Sequence, residues 1–294
     1  MSHHNRILHD DVIGALLPIG EPTFQAVIAD PPYFKVLENE WDNQWKTPED
    51  YIEWCDKWVS GCMNVLKDDG LFFIFGQPGK REHTFIHLMS HLTKKHQFHD
   101  LIIWDRALGY SERQDSFTPQ YEMILVLRKS DKVKFNKGAV RVPYDAATIA
   151  TYLKDKRYKD MDARRAHLNK GRYATNIQRV PSLKGTSKEK CGHPSQKPER
   201  LIANLIECCT DEGDIVLDPF MGSGTTAVVA QRLKRQWLGI EFKQEYVDMA
   251  RQRIKNSAVV EVAKPEETTY SGHTLCKKCQ TFHWMHGACP LPIR

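Results

Sequence analysis

Asp214-Ile215-Val216-Leu217-Asp218-Pro219-Phe220-Met221-Gly222-Ser223-Gly224-Thr225-Thr226 is the stretch that decides the fold. An apolar run stops at an acid, a glycine-bearing turn follows, and a helical pattern opens at the threonines. Strand, turn and helix in that order mark the place where an open parallel sheet binds nucleotide-like ligands. Gly222 and Gly224 let the backbone approach a ligand closely and turn sharply. About 17 residues past Gly224, Glu241 closes the next strand, over 236–240. A carboxylate there can hold two ribose hydroxyls. The turn carries no Walker lysine, which argues against a phosphate cradle.

Outward from this stretch, strands and helices alternate. Towards the N-terminus the spacing predicts strands over 24–29, 71–76, 101–104 and 121–127. Helices are predicted from about Pro48 and near 82–95, with Asp68-Asp69-Gly70 ending the first of them. Towards the C-terminus a helix is expected over 198–209, one from about Thr225, and one near 243–255. This alternation implies a mostly parallel sheet covered by helices on both faces. Tyr51, Trp54 and Trp58 share one helix face and read as core, whereas Trp41 and Trp45 suit a loop cover and packing equally well.

The chain has 294 residues, a 41% hydrophobic and 27% charged composition, and a net charge of +5. These values suit one large α/β domain with a smaller module. No apolar run reaches the roughly 18–20 residues of a membrane span, and the N-terminus lacks a signal-peptide pattern. A cytoplasmic protein with reduced thiols is the expectation.

Asp30-Pro31-Pro32-Tyr33 follows the strand over 24–29. Two prolines end the ladder and fix a carboxylate and a main-chain carbonyl at the strand's carboxyl end. Both are acceptors, and a planar amino group offers two donor hydrogens. Pinning an amino nitrogen between them draws its lone pair out of conjugation and aims it at an electrophile, so positioning and electrostatics supply the catalysis. Tyr33 would stack on an everted base.

These residues, with His193-Pro194-Ser195-Gln196-Lys197-Pro198 and the turn from Asp218 to Thr226, resemble the β class of amino-methylating DNA methyltransferases over roughly 6–256. The resemblance implies a Rossmann-like fold with S-adenosylmethionine held near Asp218, Pro219, Phe220, Gly222, Gly224, Thr225 and Glu241. It places Lys197 and Pro198 in the same pocket, and it turns Asp30, Pro31, Pro32 and Tyr33 towards the target base. An acid at position 30 favours N6 of adenine. N4 of cytosine is the nearest alternative, and an RNA substrate or an inactive DNA-binding regulator the more distant ones. Members often pair as dimers, so a homodimer is an expectation too. A cognate restriction enzyme has no signature in the residues.

The domain organisation then reads as a catalytic half over 1–128, a basic insert over 129–190, a cofactor half over 191–258 and a tail over 259–294. In the insert, Lys and Arg outnumber Asp and Glu roughly three to one. Lys154, Lys156, Arg157, Arg164, Arg165 and Arg172, interleaved with tyrosines, are its candidates for contact with double-stranded DNA. In the tail, Cys276, Cys279, His286 and Cys289 have the spacing of a structural zinc site, with His283 as a rival ligand.

Overall fold

The computed structural model describes residues 4–35, 42–78, 82–107, 109, 114–258, 273–275 and 282–284. In chain order the elements begin with β1 (Arg6–His9), α1 (Val12–Leu16), β2 (Phe24–Ala29), α2 (Pro48–Val65) and β3 (Leu66–Gly76). Then come α3 (Thr84–Lys95), β4 (Gln97–Asp105), β5 (Tyr121–Arg128), β6 (Arg141–Val142), α4 (Ala146–Leu153), α5 (Met161–Asn169), β7 (Arg172–Tyr173) and β8 (Ile177–Arg179). The series closes with α6 (Glu199–Glu207), β9 (Ile215–Asp218), α7 (Thr225–Arg232), β10 (Gln236–Glu241), α8 (Gln244–Ala258), β11 (His273–Leu275) and β12 (Phe282–Trp284).

The chain divides into two compact units. The first spans Met1–Asn136 and Thr175–Val260 and contains an eight-stranded sheet in the order β1-β10-β9-β2-β3-β5-β4-β8. All neighbours run parallel except at β5, which is antiparallel to both β3 and β4. β2 is buried at every position, as strands covered on two faces must be. Helices α1, α2 and α3 pack in sequence, as do α6, α7 and α8. Right-handed crossovers leaving the sheet centre in opposite directions place the two groups on opposite faces. The mostly parallel α/β architecture expected from the alternation is the one observed.

Local chemistry explains the element ends. Thr47 caps α2 through a capping box with Asp50, and Pro48 stands in the first turn. The expected break at 68–70 is not a loop. β3 starts directly at Leu66, opposite Phe24, and its register shifts before Ala26 pairs with Leu71. Asp68-Asp69-Gly70 is therefore a bulge inside a strand. The Gln25 side chain donates to Asp69, and a Cβ on Gly70 would lie 2.8 Å from the Gln25 carbonyl oxygen.

Gly239 is equally constrained, because a Cβ there would come 2.0 Å from Met221 Cε and 3.0 Å from its Cγ. Gly239→Ala should lower stability by about 1–3 kcal/mol through overpacking. Urea unfolding tests this, and a transition midpoint equal to wild type would show that Met221 yields freely.

The second unit spans Lys137–Ala174 and Glu261–Arg294, so its first segment is narrower than the basic stretch over 129–190. There β6 pairs antiparallel with β7 around α4 and α5. Asp145 and Asp160 cap the two helices. β11 and β12 form an antiparallel pair of their own.

Candidate active site

The connections β2-α2-β3 and β9-α7-β10 leave the sheet centre in opposite directions, so β2 and β9 flank a switch point. A crevice opens beyond their carboxyl ends, the place such sheets use for ligands. It is lined by Asp30 to Tyr33, by 218–223 with Thr225 and Thr226, by 195–197, and by Trp54, Phe75, Glu241 and Phe242.

On one side lies the turn after β2. The Tyr33 amide donates to Asp42 Oδ1 at 2.9 Å, and the Tyr51 hydroxyl donates to the Pro32 carbonyl at 2.9 Å. A buried acid and the first turns of α2 thus hold the diproline turn rigid. Asp30 accepts from the Tyr33 hydroxyl on Oδ1 and from Lys197 Nζ on Oδ2, each at 2.8 Å. Tyr33 is therefore anchored by its hydroxyl as well as by its amide. Burial first, and then Asp30 and Glu122, push its phenol well above the ordinary value. It stays a proton donor at neutral pH.

Glu122 on β5 is the residue that sequence reading missed. It is 5% exposed and accepts from the Tyr33 hydroxyl at 3.2 Å and from Gln77 at 3.2 Å. Arg106 reaches it at 3.4 Å, and so does Lys197. Burial works against the charge on Lys197, but Asp30 and Glu122 outweigh it and raise its pKa. The lysine belongs as much to the Asp30 side as to the glycine turn.

On the other side, Asp218 ends β9 with a carboxylate 6% exposed. It accepts from the Phe220 amide at 3.0 Å. Burial outweighs that help and pushes its pKa up to about 7. Glu241 ends β10 and accepts from the amides of Gly222 and Lys243, each at 2.8 Å. Its pKa is raised, burial again being the chief cause. His193 sits edge-on to Tyr246, with ring centroids 4.4 Å apart, beneath Gly222. Burial and then Lys197 lower its pKa to about 4, so it is neutral at pH 7.

Gly222 and Gly224 differ in role. Gly222 lines the crevice with φ at +47°, whereas Gly224 caps α7 with φ at +77°. A Cβ on Gly224 would touch Ala250 at 3.0 Å, so this glycine lets α7 and α8 close up. Pro198 is likewise not among the lining residues and caps α6. Thr225 lines the crevice but also accepts from Arg253 at 2.8 Å. Arg253 further pairs with Glu199 at 2.7 Å and bonds Ser223. This clamp fixes the turn to α6 and α8, and nothing in the linear spacing announced it.

The structure thus brings Asp30, Pro31, Pro32, Tyr33, Lys197, Asp218, Pro219, Phe220, Gly222, Thr225 and Glu241 around one crevice. Trp54 reaches it too, with its ring centroid 5.8 Å from that of Phe220. Trp45 is packed at 4.7 Å on Trp54 and 8% exposed, so it is core. Trp41 lies outside the described residues.

Within the second unit, Lys154, Lys156, Arg165 and Arg172 are exposed. Arg157 is also exposed but held by Asp155 at 2.6 Å, and Arg164 lies 4.0 Å over the Tyr158 ring. Cys276, Cys279, His286 and Cys289 lie outside the described residues, and of His283 only the backbone is described. Among the described residues no group of three or more His, Cys, Asp or Glu side chains is placed to hold a metal. No helix there is long and apolar enough to cross a membrane.

An open sheet with a ligand crevice at its switch point, flanked by an acid-Pro-Pro-Tyr turn and a glycine-bearing turn, defines the S-adenosylmethionine-dependent methyltransferase fold. The family model described as DNA methylase, N6_N4_Mtase, matches residues 24–252, and the chain belongs to that family. It is 28% identical over 254 residues to the DNA adenine methyltransferase YhdJ of Escherichia coli K12, covering 84% of this chain and 82% of that one. Among solved structures it is similar to the PvuII DNA methyltransferase, named cytosine-N4-specific. The TM-score is 0.64 at 18% identity, over 86% of this chain and 89% of that one. The M1.HpyAVI-SAM complex matches with a TM-score of 0.56 at 23% identity, over 85% and 98% of the two chains.

Proposed function

We propose that this protein transfers a methyl group from S-adenosylmethionine to N6 of adenine in double-stranded DNA. The observation that carries the reading is the shared crevice, in which Asp30 on its rigid turn faces the same space as Asp218, Gly222 and Glu241. The residues fit the cofactor. Asp218 is a buried carboxylate short of compensation, which suits a ligand bearing positive charge. Glu241 stands where ribose hydroxyls would be held. Trp54, Phe220 and Phe242 offer apolar surface for a purine ring.

Asp30 and the Pro31 carbonyl would accept from the amino group of an everted base and orient its lone pair. When bound, S-adenosylmethionine would supply an electrophilic methyl for the oriented amino nitrogen to attack, and the amino proton displaced would pass to solvent. Asp30 stabilises the positive charge that grows on nitrogen during this step. In the basic insert, the exposed Lys154, Lys156, Arg165 and Arg172 would contact phosphates.

Asp30 and the likeness to YhdJ favour adenine, while the likeness to the PvuII enzyme keeps cytosine N4 as the second reading. Unmethylated DNA incubated with labelled cofactor, then digested to nucleosides, should yield N6-methyladenine. N4-methylcytosine would keep the mechanism and overturn the acceptor. No transfer to DNA, with DNA binding intact, would point to RNA or to a regulator.

A further inference from the structure

We propose that Glu122 is a positioning residue for methyl transfer, taking Lys197 over from Asp30 when the target amino group enters. The inference rests on the methyltransferase reading above. In the base-free protein Asp30 is occupied on both oxygens, by Tyr33 and by Lys197. A lysine ammonium 2.8 Å from the carboxylate cancels the charge that the reaction needs, because the attacking nitrogen itself becomes positive. Lys197 must therefore loosen its hold on Asp30 without leaving a buried charge unpaired, which is among the costlier changes a protein can undergo.

Glu122 is the group placed to receive it. Its Oε2 lies 3.4 Å from Lys197 Nζ and 3.2 Å from the Tyr33 hydroxyl. Both donors on Asp30 can pass to this second carboxylate by sub-ångström movements. The charges balance throughout, with Lys197 and Arg106 facing Asp30 and Glu122. Gln77 and Arg106 occupy Oε1 of Glu122, so Oε2 is the oxygen turned to the lysine. The rings of Phe75 and Trp104, 5.3 and 5.8 Å from Nζ, complete the lysine's enclosure. The exchange moves no proton and makes no covalent bond; it changes which carboxylate the ammonium neutralises.

Glu122→Gln preserves shape and removes the charge. Single-turnover methylation should slow on the order of tenfold, the equivalent of one pKa unit of misplaced charge. Cofactor affinity should stay at the wild-type value, while the melting temperature falls by a few degrees because Lys197 and Arg106 each lose a buried carboxylate partner. Two carboxylates keep Lys197 protonated against its burial. Losing one lowers the lysine's pKa, so Lys197 should titrate at lower pH in the variant. Glu122→Asp, which keeps the charge, should restore the titration. Lysine-ε-13C NMR of the DNA-free protein, with the signal assigned by Lys197→Met, reads the same shift without activity. An unmoved Lys197 titration, or a slower rate matched by an equal loss of cofactor binding, would overturn the assignment. A wild type that methylates no DNA would overturn the functional reading instead, while the NMR shift still judges the Lys197–Glu122 coupling.

Discussion

Asp30→Ala should lower methyl transfer by about three orders of magnitude while leaving DNA and cofactor binding near wild type. The size follows from removing the one carboxylate aimed at the nitrogen where positive charge develops, in a site where preorganised electrostatics supplies most of the rate. The fold should survive, because Lys197 keeps Glu122 as a partner at 3.4 Å. The turn also keeps its other anchors, Asp42 on the Tyr33 amide and Tyr51 on the Pro32 carbonyl. Rates measured at saturating DNA, beside fluorescence-anisotropy titrations of a labelled duplex, separate the two effects. An equal loss of duplex binding would show that Asp30 holds DNA and does not orient the amino group.

The parts of this site that lie next to one another in the chain were legible in the sequence. Asp30 to Tyr33 and Asp218 to Gly222 announce themselves because a strand must end at a proline and a helix must start at a glycine turn. β2, β4, β5, β9 and β10 were read to within a few residues for the same reason, since a strand with two covered faces is an uninterrupted apolar run. The start of β3 was missed because an acid pair and a glycine in a bulge have the composition of a loop, and the short strands β1, β6, β7 and β8 offer no such run.

What joins the two turns was not legible. Glu122 sits 92 positions from Asp30 and meets it only through Lys197 and Tyr33, since β5 runs antiparallel beside β3. One signal was there to be used: an acid inside the otherwise apolar strand Tyr121–Arg128 needs a buried partner. Gly224 has a second role, in helix packing, that was illegible for a related reason. Its neighbour is Ala250 on α8, and local spacing does not distinguish a glycine that admits a ligand from one that admits a helix.

Asp218→Asn tests the cofactor side with an opposite pair of effects on binding and stability. In the cofactor-free protein burial holds the Asp218 pKa at about 7, against an ordinary 3.8. A carboxyl raised in the folded state contributes stability below its unfolded value and loses that contribution as pH rises through 7. Asparagine escapes the loss. The melting temperature of the cofactor-free variant should therefore exceed that of wild type at pH 8, and the gap should close as pH falls from 7 towards 4. Binding should move the other way. A cationic cofactor beside Asp218 favours the ionised form, so wild-type affinity for S-adenosylmethionine should rise with pH up to about 7 and then level off. Truncating one side of a buried charge pair costs enough to weaken binding by roughly 100-fold, and the variant should show that weaker affinity at pH 8 with no slope. Calorimetric titrations from pH 6 to 8.5, alongside thermal melts, read both effects on one protein. If the variant binds as tightly as wild type with the same pH slope, the positive charge of the cofactor is seated elsewhere, and Glu241 becomes the carboxylate to replace next.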